Sequence, residues 1–481
     1  MRRGAPRAAV LATLGLAAAA CARGPGPGAL REAPLMRVGI VVDRPSGSFS
    51  AAGQFRVLTA GGDIIAVVDG GVTWRAEPAE AGRVRLLRPD RDEPVVTASP
   101  VTVQTEDPNA LVVVEGQRYR GSLLVQRGST GVTVVNRVPL EWYVQSVTAV
   151  ELGFRAPSDR QAVMAQAVAA RTYAVRYRGR REALGFDLYP TDADQVYPGV
   201  AAEKPEVTEA TRQTAGQVLT YAGQPIEALF HSTCGHSTEA AAEVFRNEQG
   251  QPYLRAVSDR YGNGKNDYYC SISPQFRWRE EWDAAALNAT LAQTLPAVAG
   301  AEAASEVFRN EQGQPYLRAV SDRYGNGKND YYCSISPQFR WREEWDAAAL
   351  NAVLAQTLPA VVGAAAAGLG RVTDVRVTQT TPMGRVKEMV VETTSGTFTV
   401  PGWRARDVLR PAADRQLRSN QFQLHEERRG NDLVKLVAAG AGAGHGVGMC
   451  QWGAVGRSRA GQRYDRILAA YYPGTQLQRM F

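Results

Sequence analysis

Three short stretches hold side chains able to do chemistry. Glu151 lies in VQSVTAVELGFRAPSDRQAVMAQAVAARTYAV, Val144 to Val175, at a break between two helical patterns. A carboxylate at that point meets the negative end of a helix dipole, and apolar neighbours such as Phe154 desolvate it. Both effects favour the protonated form that a general acid needs. A capping or salt-bridged surface glutamate has the same local signature, so both readings stand at this level. His231-Ser232-Thr233-Cys234-Gly235-His236 gathers two imidazoles and a thiol within six residues, and Cys270 or Cys333 would complete a tetrahedral structural zinc site. A Cys234 to Cys270 disulfide competes with that reading in an oxidising compartment. His445 and Cys450, in the glycine-rich run His445-Gly446-Val447-Gly448-Met449-Cys450, make either a nucleophilic pair or a packed loop with a small buried thiol. His425, in the charged segment QLHEERR, reads as an exposed histidine.

The elements that must position these groups are legible in outline. Pro139 suits a helix start, since its missing N–H costs least there, and Leu140, Tyr143, Val144, Val147 and Val150 form a helical stripe ending near Glu151, with Gly153 just beyond. Ser158 with Gln161 three residues later has the form of a capping box opening a second helix that runs to about Tyr177. The alanines of that helix permit close approach of neighbouring backbone. Strand-like runs from Met36 to Val114, broken by Gly-Gly, Pro-Asp and Asp-Pro turns, predict a small N-terminal β domain. Mixed helices and antiparallel strands follow, so the fold class is α+β.

The 481 residues suffice for two to four units. Met1-Arg2-Arg3 with Arg7, the apolar run Ala8 to Ala20 and then Cys21 have the form of an export signal, and Ala18-Ala19-Ala20-Cys21 resembles a lipobox, which predicts an exported envelope protein lipid-anchored at Cys21. Residues 1–21 are thus a signal, 22–35 a Gly/Pro/Ala tether, 36–115 the β domain and 116–480 the main domain. The net charge of +7 suits contact with an anionic wall polymer, and no basic block interleaved with aromatics suggests nucleic acid. Inside the main domain, residues 243–299 recur at 306–362 with a period of 63, differing within the span only at Thr290 against Val353 and at the last position. Two copies are too few for a solenoid, so one is expected to be superfluous and to pack in a second-best place.

The runs VPLEWYVQSV, AVELGF, AVMAQAVAARTYAV, DQVYPG, FHSTCG, PYLRAV, GHGVGMCQWGA and ILAAYYPGTQL, in that order over residues 116 to 478, resemble the stage II sporulation protein D family, also called the SpoIID/LytB domain. The resemblance implies a peptidoglycan lytic transglycosylase: catalytic Glu151 with Arg171 of the following helix, and Tyr197, His445 and Gln451 along a glycan groove. It also implies zinc near FHSTCG, consistent with ligands His231, Cys234, His236 and Cys270 or Cys333. Glu-Leu-Gly stands where Glu-Met-Pro is usual, and the interval to the helix is slightly longer. The other reading is a non-catalytic glycan-binding protein or a modulator of a cell-wall amidase. A zinc hydrolase is disfavoured, because no HExxH-type helix accompanies FHSTCG.

Overall fold

A computed structural model describes residues 32–235, 237–245, 251–257, 341–362, 372–394, 396–411 and 415–481. The export signal with Cys21, most of the tether, His236, Cys270 and Cys333 lie outside the described residues.

The amino-terminal strands build two six-stranded antiparallel sheets. The first runs Leu35–Arg44, Val132–Pro139, Ser122–Arg127, Val101–Thr105, Phe55–Leu58, Ile64–Val68; the second runs Gln117–Tyr119, Val112–Val114, Gly47–Ala51, Trp74–Pro78, Arg83–Arg88, Arg91–Ala98. Alternation drives the arrangement. In Arg83–Arg88 the residues Val84 and Leu86 are fully buried while Arg83 and Arg85 face water, the period-two pattern of a half-buried strand. Phe49, Phe55, Trp74, Val103 and Leu123 fill the core of this part. Ser122–Arg127 and Val132–Pro139 pair directly with strands that precede residue 115, so the first sheet is continuous across that point.

Val132–Pro139 feeds straight into helix α1 (Leu140–Glu151), with Pro139 at its N-cap as the sequence suggests. Helix α2 (Arg160–Arg176) is buried along nearly its whole length, from Ala162 to Ala174. Its alanines let α1, α3 (Pro205–Gln213) and two late helices crowd around it. The capping box does not form. Pro157–Asp159 make a 3-10 turn, Asp159 takes the N-cap without a side-chain cap bond, and Gln161 accepts from the backbone N–H of Tyr464 instead. Tertiary partners outcompete the local cap: Asp159 is drawn into an ion pair with Arg459. The last strand, Gln476–Arg479, pairs with Gln217–Tyr221 and ties the carboxyl terminus to the middle of the chain. A single hydrophobic cluster extends from Met36 through both sheets and all these helices to Tyr472.

A separate core belongs to residues 341 to 440. Strands Trp341–Asp346, Asp432–Gly440 and Phe422–Arg429 form one sheet, Val372–Thr380, Val386–Thr393 and Gly396–Pro401 another, and α4 (Ala347–Val362) packs its buried Leu350, Val353, Leu354 and Leu358 against them. His425 is exposed on its strand.

Among the described residues, each copy of the duplication contributes to one of these two cores. From the first copy, Val244, Tyr253, Leu254 and Val257 are buried in the main core, and the Tyr253 hydroxyl accepts from the N–H of Glu227. From the second copy, Trp341–Val362 supplies a strand and a helix of the separate core. Val353 is fully buried there, where the threonine of the other copy would bring a hydroxyl into an apolar site. Excision of residues 258–320 leaves the sequence of one copy and keeps both described halves. Because the excision removes none of the contacts described in either core, the shortened protein is expected to melt within a few degrees of the full chain; a loss of cooperative unfolding in calorimetry would refute this shared arrangement.

Candidate active site and thiol-imidazole centre

Glu151 is the last residue of α1, half-buried, followed by the cap Leu152 and by Gly153, whose φ of +71° turns the chain sharply away. One carboxylate oxygen accepts from the N–H of Val196 at 3.3 Å, the other from the side-chain amide of Gln451 at 3.2 Å. Three stretches far apart in sequence therefore meet at one acid: the end of α1, the loop around residues 189–197, and the start of α5 (Gln451–Arg459). Burial raises the pKa of Glu151 above the ordinary glutamate value; the two hydrogen bonds to the carboxylate pull it back, and the negative charge of Asp192 adds to the rise. This group keeps a proton to higher pH than a surface glutamate and is held so that it can give the proton up and take one back.

The other expected site residues separate into two sets. Gln451 belongs to the site. Arg171 does not: its fully buried guanidinium makes two 2.7 Å bonds to Glu141 and donates to the carbonyls of Gln217 and Thr211, tying α2 to α1 and α3. Removing the guanidinium leaves the half-buried Glu141 without its counter-charge and the buried carbonyls without a donor, so Arg171→Met is expected to cost about 3 kcal/mol in chemical denaturation. The turnover of the fraction that stays folded should be unaffected, which separates a structural role from a catalytic one. Tyr197 is likewise interior. Its hydroxyl donates to Asn136 Oδ1 at 2.9 Å, and its ring packs among Tyr119 and Tyr143.

His445, half-buried, is held by backbone on both sides. Nε2 lies 3.0 Å from the carbonyl of Phe230 and Nδ1 accepts from the N–H of Val447 at 3.1 Å, which fixes a neutral tautomer with both nitrogens occupied. Burial, with His231 adding to it, holds its pKa well below the ordinary histidine value. It therefore cannot activate Cys450, and the nucleophilic pair does not form.

Cys450 instead joins the other cluster. Phe230–His231 pairs in parallel with Met449–Cys450, a register that brings His231, Cys234 and Cys450 together with their ligand atoms within 4.8 Å of one another. All three residues are buried. His231 Nδ1 donates to the Val447 carbonyl at 3.0 Å, which leaves the Nε2 lone pair facing inward, buried and without a hydrogen-bond partner. Cys450 Sγ accepts from the N–H groups of Cys234 at 3.3 Å and Gly453 at 3.2 Å, and so caps α5. An oriented imidazole with a vacant inward nitrogen beside two thiols is a donor set suited to zinc. Of the ligands expected from sequence, His231 and Cys234 stand together here, but the second thiol among the described residues is Cys450. The parallel pairing of two strands more than two hundred residues apart was the missing information.

Residues 128–221, which contain Glu151, match the family described as Stage II sporulation protein, and residues 326–448 match a domain of unknown function. An uncharacterized protein of Brachyspira hyodysenteriae is 26% identical over 379 residues, covering 78% of this chain and 76% of the relative. Stage II sporulation protein D of Bacillus subtilis is 26% identical over 358 residues, covering 71% of this chain and 75% of the relative. The amidase enhancer of the same organism is 26% identical over 331 residues, covering 66% of this chain but only 38% of that longer relative. Residues 128–221 therefore form a domain of the stage II sporulation protein family, within a chain that is similar over most of its length to a stage II sporulation protein D.

Proposed function

We propose that the protein cuts peptidoglycan glycan strands between N-acetylmuramic acid and N-acetylglucosamine as a lytic transglycosylase. The observation that carries this reading is the single positioned, desolvated carboxylate of Glu151. Protonated Glu151 gives its proton to the bridging oxygen; as carboxylate it then takes the proton of the muramic acid 6-hydroxyl, whose oxygen closes on C1 to leave a 1,6-anhydro end. Hydrolysis by the usual glycosidase routes would need a second positioned carboxylate. Asp192, the other acid that Glu151 senses, is exposed and no described residue hydrogen-bonds to its carboxylate. A nucleophile belonging to the substrate removes that need.

Mass analysis of glycan digests tests this directly. Anhydro ends, lighter by one water than reducing ends, are the expected products; reducing ends alone would replace the reading with hydrolysis. The relative named amidase enhancer supports a second role, contact with a cell-wall amidase, which survives if purified protein stimulates an amidase without cutting glycan itself.

His231, Cys234 and Cys450 would hold a structural zinc ion, with His236 the fourth candidate from sequence. Bound there, zinc would clamp the Phe230–His231 and Met449–Cys450 strands at the start of α5, whose first residue is Gln451. Export and lipid anchoring at Cys21 complete the proposal: an envelope protein working on the wall from the membrane surface.

A further inference from the structure

Arg155 follows Glu151 by four residues, beyond the turn at Gly153 and just after the Glu-Leu-Gly that stands where Glu-Met-Pro is usual. Its guanidinium carbon lies 4.4 Å from the centroid of the Trp452 ring. Trp452 directly follows Gln451, the residue that holds Glu151, and it is half-buried against the main core. The indole is therefore a fixed plate at the edge of the site.

Among the described residues the cation on that plate has no ion-pair partner of its own. No described residue accepts a hydrogen bond from the Arg155 guanidinium or forms an ion pair with it. The acid it senses, Asp159, is already engaged by both arms of Arg459, and Arg459 repels it. Although the residue as a whole is exposed, its charged end is desolvated enough to lie below the ordinary arginine pKa. A surface cation–π staple would account for the stacking, worth about 0.5–1 kcal/mol, but leaves unused the donors of a guanidinium seated on the residue next to Gln451.

An indole face suits the C–H surface of a pyranose, and a guanidinium fork suits a carboxylate. A muramic acid residue carries one such carboxylate on its lactyl ether, ionised only where no stem peptide is joined to it by an amide bond. We infer that Arg155, seated on Trp452, receives the lactyl carboxylate of muramic acid and so makes the site discriminate between stripped and peptide-bearing glycan. The inference rests on the transglycosylase reading of Glu151 for the nature of the substrate, and adds the residue that reads it.

The test uses the full chain as wild type, Arg155→Gln and Arg155→Lys, each also combined with Glu151→Gln, on strands stripped of stem peptides and on strands that retain them. Arg155→Gln should lower kcat/KM on stripped strands by about ten- to hundredfold, the range of a charge-assisted hydrogen bond, mainly through KM. On peptide-bearing strands it should change less than about twofold, and Arg155→Lys should recover part of the loss because the charge returns without the fork. Equal losses on both substrates, or none on stripped strands, overturn the assignment. If wild type cuts neither substrate, the transglycosylase reading fails and binding decides the rest. Weaker binding of stripped strands by Glu151→Gln/Arg155→Gln than by Glu151→Gln upholds Arg155, and equal binding, or none by either, removes it.

Discussion

Glu151→Gln is expected to reduce glycan cleavage by about a hundred- to ten-thousandfold while leaving strand binding near the wild-type level. The amide keeps the shape of the acid but can neither deliver a proton to the glycosidic oxygen nor take one from the 6-hydroxyl. Val196 N–H and the Gln451 amide hold both carboxylate oxygens, so the replacement can keep its place by turning its own carbonyl to one of them. Full activity in the variant would remove Glu151 from the acid/base role and point to another group. The pH profile adds a second check. Because burial raises the pKa of Glu151, the alkaline limb of kcat should lie above the ordinary glutamate range.

The same shift has a thermodynamic signature that needs no substrate. In the pH window between the ordinary glutamate value and the raised value of Glu151, the folded protein binds more protons than the unfolded chain. Stability therefore falls as pH rises through that window, and the penalty is fully present above it. Glu151→Gln does not titrate, so it should unfold at higher temperature than wild type at neutral pH and lose this advantage at acid pH. A group that lowers stability where it works, and whose removal stabilises the fold, is characteristic of a functional site and not of a capping glutamate.

How much of this was legible in the sequence varies from element to element. The stripe of α1 and the turn at Gly153 could be read because both are local: periodicity and a glycine with positive φ lie within one stretch. The capping box at Ser158 was locally plausible and lost to distant partners, Arg459 for Asp159 and Tyr464 for Gln161. Arg171, Tyr197 and His445 are motif residues, and the order of motifs identified the family, yet all three act inside the protein, as an ion pair, an aromatic packing group and a loop latch. A motif marks what the fold needs as much as what the substrate touches. Nothing at the level of spacing distinguishes an arginine that reaches Glu141 from one that reaches Glu151. Cys450 was visible as a thiol but unassignable as a ligand until the parallel pairing with Phe230–His231 set it beside Cys234. The stacking of Arg155 on Trp452 was hidden for the same reason, although the adjacency of Trp452 to Gln451 was a usable signal.

Cys450→Ser is expected to abolish high-affinity zinc binding while preserving helix α5. The observed capping role and the proposed zinc-binding role of this residue can be separated because they use different properties of the side chain. Capping needs an acceptor for the N–H of Gly453, and serine is among the best N-cap residues, so the start of α5 survives the exchange. Holding zinc needs a soft thiolate, which a hydroxyl does not supply. Cys450→Ala would lose both functions and therefore serves as the comparison. In wild type, free zinc at a thousand times its Kd should stabilise the fold by about 4 kcal/mol, and a strong chelator should remove that increment. The increment should also fade as pH drops, since the ligands must be thiolates and a neutral imidazole. Cys450→Ser should melt like chelated wild type, with or without zinc, and His231→Gln should do the same because it removes the vacant inward Nε2. Wild type whose melting ignores both zinc and chelator would reduce the cluster to a buried imidazole between two thiols. The strands that carry Gln451 to Glu151 would then be held by their backbone hydrogen bonds and by the packing of Met449 and Val447.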